Sequence, residues 1–149
     1  MTPRDASPEG LRPEIAVIGS GPGRTPIDFK ATVAALADAI IGERCPETYP
    51  GEIGADHPVA GFILEAHARM PGHLRMPLTS LTVAFALWAL PFTGRTFHRL
   101  PSDTRRRQIR AWRESRLGVR RDLIKFYETL AIFGWYAEIY AQDHRHDAT

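Results

Sequence analysis

The residues with the clearest chemical possibilities are Ile15-Ala-Val-Ile-Gly-Ser-Gly-Pro-Gly23. An apolar strand running into closely spaced glycines is how a dinucleotide-binding fold begins, because the glycines let backbone amides approach pyrophosphate at a helix N-terminus. Here Arg24 stands where the third glycine of Gly-x-Gly-x-x-Gly belongs, Thr25-Pro26 delays the helix, and no second strand pattern follows Ile41. Without a βαβ unit the phosphate has no cradle, so no cofactor-binding residue is assigned to this chain. The run reads instead as a short strand and glycine turn suited to the edge of a partner's sheet.

The other reactive side chains are scattered. The pairs His57/His67 and His67/His73 lack the i,i+3 or i,i+4 spacing that sets two ligands on one helix face, and His144 and His146 lie in a polar tail, so no metal ligand is assigned. Cys45 is the single cysteine, which excludes an internal disulfide and suits a reducing compartment. It has Pro46 beside it and no base nearby in sequence. Asp38, Glu43, Glu47, Glu52, Asp56 and Glu65 form no pair with acid–base geometry, and neither a Gly-x-Ser-x-Gly elbow nor a phosphate-binding lysine loop occurs. No catalytic residue is nominated.

Arginine is the exception to this scatter. Between Arg105 and Arg121 there are eight arginines against one acid, Glu114. On a helix over 103–115, Arg106, Arg110 and Arg113 share a face beside a narrow apolar strip of Ile109 and Trp112. Such a face could meet nucleic-acid phosphates, an acidic protein surface or water. Net charge is only +2, and the glutamine and asparagine used to read bases are scarce. The cluster is therefore read as a protein-contact or solvated surface, with a small basic nucleic-acid-binding helical protein as the alternative.

The elements that must position these groups are helices. With 149 residues, 44% of them hydrophobic and 24% charged, the chain fits one globular domain. Residues 1–27 read as an extended arm holding one strand-like segment and the glycine turn, 28–141 as a helical domain, and 142–149 as a polar, fraying tail. Asp28 caps a first helix over Phe29–Ile41, and Asp56 with Pro58 opens a second. A third runs from about Leu74 to Leu90 and is ended by Pro91. The fourth covers Asp103–Ser115, and a long fifth follows Gly118. The expected architecture is all-α, about five helices in an irregular bundle. The first twelve residues hold no apolar leader, and the longest apolar run, Val83–Leu90, is well short of the roughly 20 residues that span a bilayer. A cytoplasmic protein without membrane insertion is expected.

The fifth helix points outside the chain. Leu123, Phe126, Tyr127, Leu130, Gly134, Ala137 and Ala141 follow the spacing of one buried face, yet Ile132, Phe133, Trp135, Tyr136 and Ile139 lie largely off it. A helix apolar on most of its circumference needs cover on both sides. Phe126, Phe133, Trp135 and Tyr136, with Arg106, Arg110 and Arg113, are therefore the candidate partner interface.

Taken in order, Leu36-Ala-Asp-Ala-Ile-Ile41, Val59-Ala-Gly-Phe-Ile63, Phe97-His-Arg-Leu-Pro-Ser-Asp-Thr-Arg105 and the aromatic helix with Leu130 and Gly134-Trp-Tyr136 resemble a known family. It is the small subunit (subunit 3, or gamma) that accompanies flavin-dependent gluconate 2-dehydrogenase and related sugar and alcohol dehydrogenases. The resemblance spans roughly residues 29–140. It implies a non-catalytic helical component of a heteromer whose large glucose–methanol–choline-type flavoprotein holds the FAD and abstracts hydride. The chain departs from the family in lacking an export leader and in carrying the glycine-rich arm.

Overall fold

Asp28 opens the first helix as its sequence predicts. The computed structural model describes residues 27–148, so the strand-like segment and glycine turn at 14–24 lie outside the described residues. Asp28 has extended backbone angles and its carboxylate accepts from the Ala31 amide at 3.0 Å, starting α1 (Phe29–Arg44). Nine of the sixteen residues of α1 are buried, running almost unbroken from Thr32 to Ile41. This is the helix that is covered all round, and it forms the axis of the core.

The remaining helices pack about it. In α2 (Pro58–Ala68), Pro58 occupies the first turn, where its missing N–H costs nothing, and His57 Nδ1 accepts from the Val59 amide at 3.2 Å. α3 (Gly72–Leu87) contains Pro77, α4 (Leu90–Thr93) is a single turn, and a 3₁₀ turn follows at Phe97–Arg99. α5 spans Ser102–Arg113, and α6 spans Gly118–Asp147. At 30 residues, α6 is about 45 Å long. The expected all-α architecture is what forms: five helices of eleven residues or more, with no strand among the described residues.

Several boundaries differ from expectation: α1 runs on to Arg44 and α5 covers Ser102–Arg113. The third helix stops at Leu87, and Pro91 begins the next turn instead of ending this one. Proline is as well suited to a first turn as to a stop, and Gly94 at φ +66° supplies the left-handed cap that closes α4. The polar tail is helical through Asp147. Gln142 donates to Glu138 at 3.1 Å, and Arg145 donates to the Ala141 carbonyl at 3.1 Å, so one-turn contacts replace the missing apolar burial.

α6 crosses α1, α2 and α5, burying Leu123, Ile124, Tyr127, Ala131, Gly134 and Trp135 along one stripe. Phe85, Phe97 and Trp112 cluster at the α3–α5 end, with ring centroids 4.6 and 4.9 Å from Phe85. The irregular 45–57 segment is held by Asp38, whose carboxylate accepts from Tyr49 Oη and from the Ile53 amide at 2.8 Å. That contact seats Ile53 in the core.

Candidate functional site

The candidate interface residues separate into three groups. Phe133 and Tyr136 face solvent from the C-terminal half of α6, 65% and 52% exposed, and Tyr140 continues their line one turn on. Phe133 leans on Phe62 of α2 at 5.8 Å between ring centroids. Phe126 is half-buried and meets Tyr127 edge-on at 5.2 Å. Arg106 and Arg110 are exposed on α5. No contact joins either arginine to Phe133 or Tyr136, so aromatics and arginines do not form one patch.

Trp135 and Arg113 are turned into the fold. Trp135 is only 6% exposed, and its indole N–H donates to Thr48 Oγ1 at 2.9 Å. It points inward because Gly134 beside it lets α2 approach: a Cβ at Gly134 would lie 2.9 Å from the Phe62 ring. Arg113 also works inside the fold. It donates to Glu43 of α1 at 3.1 Å and to Glu128 of α6, and Arg44 adds a second cation on Glu128 at 3.1 Å. These half-buried pairs lock three helices together and leave Arg113 no charge to offer a partner.

A polar cleft of about 230 Å³ lies between α1 and the 45–57 segment, lined in part by Asp38, Glu52, His98 and Arg105. Asp38 is already occupied by Tyr49, the Ile53 amide and Arg105 Nη1 at 3.7 Å. Burial, and then the hydrogen bond to Asp38, push the Tyr49 phenol up to about 12. Burial and the neighbouring Arg99 and Arg105 hold His98 below its ordinary value, against a smaller opposing effect of Asp28. Tyr49 is thus a protonated donor and His98 a neutral imidazole near pH 7, which suits tethering a loop better than driving proton transfer. Among the described residues, no group of three or more His, Cys, Asp or Glu side chains could hold a metal.

A further surface feature has no counterpart among the sequence expectations. Between α3 and α6 lies an open apolar groove of about 530 Å³, walled by Leu78, Leu81 and Ala84 on one side and Val119, Leu123 and Phe126 on the other. Beyond its rim Leu74, Met76, Trp88, Leu90 and Phe92 are exposed, Phe92 by 82%. The signal was present in sequence as nineteen uncharged residues, Met76–Gly94, bracketed by Arg75 and Arg95. Gly72–Thr93 is long and apolar enough to cross a membrane, and only 22% of its most apolar 18-residue stretch is buried in the fold. The short Val83–Leu90 run understated this span.

The sequence matches no family model, no curated protein and no solved structure.

Proposed function

We propose that this chain is a non-catalytic helical subunit that binds and stabilises a FAD-dependent oxidoreductase of the glucose–methanol–choline type in a cytoplasmic heteromer. The observation that carries the docking role is the line Phe133, Tyr136 and Tyr140, three aromatic rings more than half exposed on one side of a rigid helix. Aromatic side chains held in place on a helix are the usual anchors of protein interfaces, since they bring large area with little entropy to lose. The identity of the partner rests on the family resemblance across residues 29–140. FAD and hydride abstraction belong to the large subunit, and this chain contributes fold support.

The test is co-expression with the flavoprotein and purification through a tag on this chain. A yellow complex with a flavin spectrum is expected. Phe133→Asp with Tyr136→Asp should weaken it by about 2–4 kcal/mol while leaving the helical circular-dichroism spectrum of the isolated chain unchanged. Activity should fall only in proportion to lost assembly. Failure of any flavoprotein to co-purify, with the isolated chain a well-behaved monomer, removes the proposal.

A further inference from the structure

We propose that the outward side of α3 and α4 rests on an anionic lipid surface, independently of the docking line on α6. On α3, Thr82, Phe85 and Ala86 face the core. The opposite side carries Met76, Ser80, Ala84 and Trp88, all exposed. A solvent-facing helix side normally carries charge, yet from Met76 to Gly94 there is none. Met76 and Phe92 stand out at its two ends, 72% and 82% exposed, while the Trp88 ring between them, 44% exposed, lies under the Arg120 guanidinium at 4.3 Å.

Charge selects the occupant. No acid occurs from Ala66 to Ser102, whereas Arg75 and Arg95 flank the uncharged stretch and have no carboxylate partner among the described residues. Arg69 is excluded from the count because it pairs with Glu65. On the α6 side the groove has one acid, Asp122, and Lys125 borders the same rim. An apolar band edged by unpaired cations matches acyl chains beneath anionic headgroups. A protein partner would ordinarily be met by about one hydrogen bond per 100–200 Å², and the outward side of α3 offers little beyond the Ser80 hydroxyl.

The segment lies along the surface and does not cross it. The Thr82 hydroxyl bonds Tyr127 Oη at 2.8 Å, and Gln108 donates to the Phe85 carbonyl at 2.6 Å, stitching α3 to α6 and α5. The helix also breaks after Leu87. Removing α3 into a bilayer core would strip these buried bonds and open the aromatic cluster of Phe85.

Flotation of the 149-residue chain with phosphatidylcholine vesicles, with and without phosphatidylserine, tests this directly. Binding to the phosphatidylserine vesicles is expected, weakened by about tenfold or more in Arg75→Glu/Arg95→Glu. Met76→Glu/Phe92→Glu should abolish it. All four sites are exposed, so circular dichroism should be unchanged. Trp88 supplies a local readout: its emission should shift to the blue on vesicle addition and the shift should vanish in Trp88→Phe, whereas buried Trp112 and Trp135 should not respond. No binding to either vesicle overturns the proposal. So does concentration-dependent dimerisation, or flavoprotein binding, that is lost in Met76→Glu/Phe92→Glu while the wild type ignores vesicles. Loss of flavoprotein binding in the Phe133 and Tyr136 variants alone bears on the subunit reading and not on this face.

Discussion

Arg113 joins carboxylates from two different helices, and removing it leaves Glu43 and Glu128 facing each other with only Arg44 to compensate. Arg113→Ala should therefore lower stability by about 1–3 kcal/mol in urea unfolding, whereas Arg110→Ala, exposed on the same helix, should stay within about 0.5 kcal/mol. The arginine run in the sequence could not distinguish these two, because which arginine meets an acid depends on helix crossings and not on spacing. The histidines permit a pH prediction. Both His67 and His98 are held below the 6.5 of a free imidazole, first by burial and then by Arg75 for His67 and by Arg99 and Arg105 for His98, where Asp28 opposes. His67 also meets Thr79 Oγ1 at 2.9 Å and the Phe29 ring. The unfolded chain then takes up these protons at a higher pH than the folded chain does. Stability is complete above 6.5 and declines as pH falls through it toward the folded values. Urea midpoints compared at about pH 7.5 and about pH 5.5 should show the loss, and His67→Gln/His98→Asn should shrink it.

At the scale of elements, α3 is fixed more by a few polar ties than by broad packing. Tyr127→Phe removes the hydroxyl from a buried pair while Thr82 keeps its bond to the Leu78 carbonyl at 2.8 Å. A cost of about 1 kcal/mol is expected, with amide-exchange protection falling first in α3 and not in α1. The α2–α6 crossing depends on Gly134. Gly134→Val should destabilise by about 1–3 kcal/mol by forcing the Phe62 ring aside, and Phe62→Ala in the same chain should recover part of that loss. Much of this layer was legible beforehand: Asp28 as a cap, Pro58 as a first-turn residue and Gly118 as the divide before the long helix, whose first residue it is, are local signals with local causes. The identity of the fully enclosed helix was not. Both α1 and α6 are apolar around much of their circumference, and periodicity alone does not say which one the others surround. That choice turned Trp135 from a predicted outward anchor into an internal one.

At the scale of the whole molecule, charge is divided between internal ties and a few free arginines, so the protein should bind duplex DNA weakly. A sub-micromolar affinity that collapses steeply with salt would favour the nucleic-acid reading over the subunit reading. The division into an enclosed helix and a long strap also has a consequence during synthesis. α1 packs against α6, α2, the Phe97–Arg99 turn and α5, and about 75 residues separate the end of α1 from the start of α6. At roughly 5–20 residues per second the ribosome takes on the order of 4–15 s to reach the start of that strap. During those seconds the apolar face of α1, with Val33, Leu36, Ile40 and Ile41, lacks the share of its native cover that α6 supplies. A holdase chaperone should therefore engage ribosome-bound chains stalled within α5 and release chains whose α6 has fully emerged.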